Sequence, residues 1–346
     1  MTALERVSLT LQHKEADRVP LYPLLNGVGR RLVGADYPTW STDMQVCGDA
    51  YEAVTDKFDL DVICTLIDLS VEAADFGQTL VYPKNEAAHP DFSSHVLKSA
   101  ADYDRVEPVD PTKTPRMSGH IKLCSRLVGQ RGKDTPVVAF VFGPLGILSM
   151  MRGQAQMFMD ILDDPDAVKR GVAAITDSLK DYCRALIGTG VHAIMLDTLF
   201  ASQSIMSKTM WREMEGVYVQ ELADLIHELG CMVMVHNCGT GIYFDAQLEM
   251  LQPEAISFLH VADDCSSYED MQTKYGKKTT FIGHIPPTWL FDATEKEVEA
   301  EAKKELEIHK TGGGFILATG CEYPANLDWG KAEAILRAGR MYGAYA

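Results

Sequence analysis

The chain has no run approaching the roughly 20 uninterrupted apolar residues that a bilayer-crossing helix needs. Its start, Met1 to Glu15, is charged and polar and lacks the apolar centre of an export signal. A cytoplasmic location without a membrane partner is therefore expected. Positive charge is scarce too: 32 Lys and Arg face 49 Asp and Glu, a formal net charge of −17. That balance repels polyphosphates, so nucleic acid is not an expected partner. Also missing is a complete glycine-rich phosphate turn, since Gly27-x-Gly29 lacks the third glycine of a dinucleotide-binding loop. Eight cysteines scattered through a chain without an export signal are expected as thiols or metal ligands rather than disulfides. No repeat or low-complexity tract is present, and the 46% hydrophobic, 23% charged composition suffices to bury a sizeable core.

What the sequence does contain is a series of short apolar, β-branched runs separated by helix-length segments. Eight are expected as strands: Leu21 to Leu25, Val62 to Leu66, Val137 to Phe142, His192 to Leu196, Met232 to Val235, Ala255 to Val261, Thr279 to Ile282 and Phe315 to Thr319. Most are continuously apolar, as in parallel strands covered on both faces. Helices between them carry end signals: Asp164-Pro165 opens one closing near Gly188, Ser207 opens one closing at Gly230, and Thr294-x-x-Glu297 is a capping box. The alternation predicts an α/β protein, a single (βα)8 TIM barrel over 1–346, rather than an open doubly wound sheet. Residues 77–136 are too long for a plain connection and are expected as an insertion over the barrel mouth, either a lid or an ornament.

In such a barrel, chemistry gathers at the C-terminal ends of the strands. Those ends supply Asp197, His236-Asn237-Cys238-Gly239, Asp263-Asp264, Gly283-His284 and Gly320-Cys321-Glu322. Residues two apart on an extended segment point the same way, so His236 and Cys238 can grip one ion while Cys321 arrives from another strand. Two thiolates and an imidazole suit Zn2+, and three protein ligands leave a fourth position for substrate. Spacing alone leaves open whether the three meet on an ion or merely fall at strand ends.

Glu5-Arg6-Val7 with Ala16-Asp17-Arg18-Val19-Pro20, the stretch Glu72-Ala73-Ala74-Asp75-Phe76-Gly77, Phe142-Gly143-Pro144-Leu145 and the segment from Asp197 to Trp211 resemble the uroporphyrinogen decarboxylase superfamily across nearly the whole chain. Val235-His236-Asn237-Cys238-Gly239 and Gly320-Cys321 are similar to its corrinoid-dependent methyltransferase branch. The resemblance implies a (βα)8 barrel, zinc on His236, Cys238 and Cys321, and a partner corrinoid protein carrying methylcobalamin or cob(I)alamin. The small-molecule partner is then a thiol that accepts methyl, the favoured direction, or a methyl ether that donates it in an O-demethylase reaction. The other branch, decarboxylation of a carboxylated tetrapyrrole, needs no metal, and its arginine-bearing motif matches Asn26-Gly27-Val28-Gly29-Arg30-Arg31 only loosely. A third reading is a barrel that uses zinc to hold its rim and docks a corrinoid protein without catalysis.

Other residues carry paired readings. Glu322 either transfers a proton or occupies the open zinc position, or it bonds a neighbouring loop. Asp197 orients substrate or the imidazole of His236. His284 contacts substrate or is a satisfied polar residue at the rim. Met150 and Met151, with Met157, Met159, Met206, Met210 and Met214, form an adaptable surface for a corrin ring or aromatic ligand, or simply core.

Overall fold

A computed structural model describes residues 1–345. Among the described residues nine strands form: β1 (Ile63–Cys64), β2 (Leu80–Val81), β3 (His89–Pro90), β4 (Val137–Phe142), β5 (Ala193–Asp197), β6 (Met232–Asn237), β7 (Ala255–Phe258), β8 (Thr280–Ile285) and β9 (Phe315–Thr319). Seven make one parallel sheet in the order β1-β4-β5-β6-β7-β8-β9, with helices between them, and β2 and β3 form a small antiparallel hairpin.

The stave between β9 and β1 comes from the segment expected as the first strand. Leu317 N–H donates to Pro20 O at 3.0 Å and Tyr22 N–H to Leu317 O at 2.9 Å, while Asp61 N–H on the other side donates to Leu21 O at 3.0 Å. Leu21 thus pairs in parallel with Leu317 and closes the (βα)8 barrel. It shrinks to a single bridge because Pro20 and Pro23 bracket it and have no N–H to give a ladder.

Strand alternation sorts the apolar residues into two clusters. Tyr22, Leu24, Cys64, Val138, Phe140, Met195, Met234, Ile282 and Ile316 fill the barrel interior, and their neighbours Ala139, Val141, Ile194, Leu196, Val233, Val235, Phe281 and Phe315 join the helices in the larger outer core. The helix Ala3–Leu11 sets Val7 into the inner cluster, with Leu11 packed against it, closing the end opposite the C-terminal rim.

Several boundaries move: β1 keeps only Ile63–Cys64 of its run, and β5 runs on to Asp197 and β6 to Asn237, so Asp197 and His236 lie on strands rather than after them. β7 stops at Phe258 instead of Val261, and β8 runs on to Ile285, so His284 lies within a strand rather than after one. Helices follow their end signals: Pro165–Gly188 is capped by Asp164, and Glu295–His309 opens on the Thr294–Glu297 capping box. The helix opened by Ser207 is one continuous coil, Lys208–Trp211 and Val217–Glu228, joined by a π turn over Arg212–Gly216. Within 77–136, the helix Pro115–Arg131 packs on the helix Met44–Phe58 and on β4, the place of a barrel helix. The residues that reach the rim are earlier ones, around the hairpin.

Candidate active site

Parallel register sets the polar ends of β5, β6 and β7 side by side: Asp197 lies opposite His236, and His236 opposite Ser257. Two residues past His236 the chain presents Cys238, and just past β9 it presents Cys321. One donor atom from each of His236, Cys238 and Cys321 lies within 4.8 Å of the others. A tetrahedral zinc with bonds of about 2.0–2.3 Å sets its ligands roughly 3.3–3.8 Å apart, so this spacing needs little closing. Ser257 Oγ meets His236 Nδ1 at 3.0 Å, which fixes the ring and leaves Nε2 for an ion. The residues present therefore fit zinc.

The turns that carry the thiols are braced from behind. Asn237 Nδ2 donates to Thr198 O at 2.6 Å, and its Oδ1 accepts from Gly239 N–H at 2.8 Å, so the side chain between the two ligands pins the His-x-Cys turn. Thr319 Oγ1 donates to Cys321 O at 2.7 Å. Gly320 has to be glycine: a Cβ there would stand 2.7 Å from Leu259 Cα. Electrostatics couple the group. A hydrogen bond from Cys321 holds the Cys238 thiol below its ordinary range, and the same contact, with burial, drives Cys321 well up. Burial opposes charge on His236, but Cys321 and the charge of Asp197 outweigh it and raise the imidazole.

These groups face a cavity of about 180 Å3 at the mouth, walled mostly by apolar atoms from Tyr22, Leu24, Leu66, Leu69, Phe140 and Met195. Asp197 and Glu322 line it as expected. Asp197 is buried and its Oδ1 has no partner; burial pushes it up to about 6, with the charge of His236 pulling the other way. The hydrogen bond to the imidazole comes from Ser257, while Asp197 acts on it through charge. Glu322 accepts Gly27 N–H at 2.7 Å, and burial pushes it up to about 7 against the pull of that bond and of Arg30. It stands outside the 4.8 Å cluster of candidate ligands.

Three expected participants sit elsewhere. His284 turns away from the cavity into the layer between sheet and helices: Tyr268 stacks on it at 3.5 Å, Glu305 Oε1 lies 3.1 Å from Nδ1 and His309 Nε2 lies 3.2 Å from Nε2. The cause is Gly283, whose φ of +139 breaks the alternation that would have placed His284 beside the inward Ile282. Met151 is core, 2% exposed. Met150 lines a second groove with His89, Phe92 and His95 of the 77–136 segment. That groove shares Leu69, Ala87 and Leu199 with the cavity and so adjoins it. Asp263 and Asp264 turn instead to Lys208 and Lys274. Arg30 is occupied by Gly27 O, Ala325 O and Asn326 Oδ1 and does not line the cavity.

Residues unmarked by sequence reasoning complete the site. Ser257 could be found only through strand register, and Asp68 only through its burial beside the cavity.

Residues 2–342 match the family model described as uroporphyrinogen decarboxylase (URO-D). A methylcobamide:CoM methyltransferase, MtbA, of Methanosarcina mazei is 24% identical over 274 residues, 78% of this chain and 74% of that protein. Among solved structures, a methyltransferase from Methanosarcina mazei superposes with a TM-score of 0.83 at 19% identity, covering 99% of each chain. A B12-independent methionine synthase from Shewanella sp. W3-18-1, in complex with selenomethionine, superposes at 0.55 with 14% identity, over 93% of this chain and 96% of that one.

Proposed function

The chain belongs to the uroporphyrinogen decarboxylase family, and from that premise we propose that it is a corrinoid-dependent methyltransferase holding zinc on His236, Cys238 and Cys321. The observation that carries the proposal is the convergence of these three donors on the mouth cavity. The similarity to the Methanosarcina mazei methylcobamide:CoM methyltransferase supports the same class of reaction. Zinc there, formally neutral with two cysteinates, would supply a Lewis acid that lowers the pKa of an incoming thiol or polarises an ether oxygen. The protein's own part is positional. Ser257 holds the imidazole, Asn237 and Gly320 hold the thiolate turns, and the apolar walls keep water from the transferring methyl group.

The partner is a corrinoid protein. In the thiol direction the acceptor gives up its S–H proton and its sulfur takes the methyl group of methylcobalamin, leaving cob(I)alamin. In the ether direction the methyl passes to cob(I)alamin and the departing oxygen takes a proton; the Glu322 carboxyl in the cavity favours this second reading. A substrate bearing several carboxylates finds no lysine or arginine on the cavity wall among the described residues, which speaks against a tetrapyrrole decarboxylase. The rim segment within 77–136, with the groove it shares with Met150, is the proposed lid.

Metal analysis of the purified protein should find about one zinc per chain. Cys238→Ala and Cys321→Ala should each lose zinc together with methyl transfer in a mixture containing a corrinoid protein. Full transfer by zinc-free protein would overturn the assignment. A Cys321→Ala protein that is less stable yet equally active would make the zinc a rim clamp only.

A further inference from the structure

Beside the cavity that holds the zinc-ligand cluster, the rim opens into a larger groove of about 620 Å3 over the end of β4. The cavity itself, about 180 Å3, is smaller than the roughly 300–1,000 Å3 of a pocket for a drug-sized ligand. It takes a small substrate but not a corrin, whose four linked rings carry a fringe of carboxamides. A cobalt-bound methyl group therefore has to be presented at the rim, and the rim is not uniform. Around the ends of β6 and β7 it is charged: Lys208 bridges Asp245 and Asp263, and Lys274 pairs with Asp264. Covering those ion pairs with an uncharged ring strips them of water and returns no counter-charge.

The groove has the opposite chemistry. Among the described residues no Asp, Glu, Lys or Arg lines it, although these make up 23% of the chain and ordinarily cover its solvated faces. Its polar groups are the amides of Gln154 and Gln156, the Ser149 hydroxyl and the imidazoles of His89 and His95. Each imidazole sets Nδ1 against a backbone carbonyl, that of Pro90 at 2.9 Å and that of Met150 at 3.2 Å, so Nδ1 is the donor and Nε2 is left as an acceptor. The rest of the wall is apolar. Phe92 stands 69% exposed with His89 stacked on it, the ring centroids 5.4 Å apart. A large aromatic ring bared at the edge of an uncharged groove marks a binding surface rather than a solvated one.

We propose that this groove seats the corrin ring presented by the carrier protein: the carboxamide fringe meets Gln154, Gln156, Ser149 and the two imidazole acceptors, the ring edge lies against Phe92 and Met150, and the charged sector over β6 and β7 stays clear. The proposal deepens the methyl-transfer reading and rests on it. It also makes the groove selective for carboxamides over carboxylates, because a polyanionic ring finds no cation there.

Equilibrium dialysis of the zinc-loaded protein, read by corrin absorbance, can compare cyanocobalamin with the tricarboxylic acid made by hydrolysing three of its carboxamides. Both axial positions of that cobalt are filled, so neither the imidazoles nor the thiolates can ligate it. The parent should bind cyanocobalamin about tenfold or more tightly than the acid. Phe92→Ala should weaken cyanocobalamin roughly tenfold, the worth of the ring area left uncovered. Gln156→Lys should bind the acid more tightly than the parent does, a gain that misfolding cannot produce. Leu229→Glu, at an exposed apolar position just ahead of β6 at the opposite end of the barrel, should change neither corrin. Equal binding of the two corrins by the parent, indifference of cyanocobalamin to Phe92→Ala, or no gain for the acid in Gln156→Lys would overturn the proposal. So would a dimer in sedimentation velocity that Phe92→Ala dissolves and cyanocobalamin leaves intact, which would give the face to a second copy of the chain. Methyl transfer from methylcobalamin to 2-mercaptoethanol is read separately. Groove-dependent binding without transfer would keep the groove and sink the reaction, whereas transfer whose KM for methylcobalamin ignores Phe92→Ala would do the reverse.

Discussion

The imidazole of His236 takes its orientation from a serine on the next strand, and that contact has a measurable consequence. Ser257→Ala removes the hydrogen bond to Nδ1 while leaving all three ligand side chains in place. It should weaken zinc binding by about 10- to 100-fold, the usual loss when the outer partner of a ligating histidine is removed. A chelator competition titration measures this directly, and unchanged affinity would show that the ring is held by packing alone, for instance against Phe140. At this scale the sequence discloses residues whose chemistry stands out along the chain: His236, Cys238, Cys321 and Asp197 all mark strand ends. It conceals residues whose importance comes from a neighbour. Ser257 is ordinary until register places it beside His236, and Asn26 is ordinary until burial places it on the cavity wall. His284 misleads for the converse reason. The period-two rule groups it with inward Ile282, and one glycine backbone between them cancels the rule.

Helices announced their ends through side-chain chemistry, so Asp164, Ser207 and Thr294 each cap the helix they precede. The π turn at Arg212–Gly216 has no such signal, because it depends on what its side chains meet inside the fold. It carries Glu215, which is wholly buried and whose carboxyl accepts Trp211 Nε1–H at 2.9 Å. Burial pushes this carboxyl up to about 8 from 4.5, against the pull of Trp211 and of the Leu145 and Gly146 N–H groups. The sign follows from which state holds the proton. Below about 4.5 both folded and unfolded chains are protonated, and between there and about 8 only the folded chain is, so stability falls as pH rises through that window. Glu215→Gln keeps the neutral form at every pH. Unfolding free energies from urea titrations at pH 5 and pH 8 should therefore diverge less in the variant than in the parent, by at least about 1.4 kcal/mol, the worth of one pKa unit. Glu72, pushed by burial in the same direction to about 8, keeps some slope in both proteins. Equal slopes would mean that Glu215 is hydrated or neutralised in solution.

The barrel as a whole was legible because eight apolar runs alternate with helices, a count that topology alone converts into closure. How the ring closes was not legible, since the closing stave is one bridged residue between two prolines and owes its place to charges far away in sequence. Asp61, buried just before β1, accepts Leu21 N–H at 2.7 Å and pairs with Arg6 at 2.6 Å and Arg18 at 2.5 Å. Arg6 in turn meets Asp17 at 2.6 Å. The opening motifs that carry the family resemblance are thus the latch that ties the first stave to the second. Removing one partner of a buried pair leaves the others charged and dry, at a cost of about 3–5 kcal/mol. Asp61→Ala should therefore lower stability by roughly that amount in urea titrations at pH 7. Asp61→Asn should lose less than the alanine variant, because its side-chain oxygen still accepts Leu21 N–H. Asp104→Ala provides the contrast: its pair with Arg170 is 2.5 Å long but more than half exposed on both sides, so its loss should leave the urea midpoint nearly unchanged. Because Leu21 is hydrogen-bonded between β9 and the approach to β1, Asp61→Ala should also speed amide exchange of Tyr22 and Leu317 more than that of β5 or β6, which lie across the sheet. Uniform acceleration at every strand would show that the ring opens only with global unfolding, and no destabilisation at all would mean that Pro20 to Tyr22 is held by packing rather than by the latch.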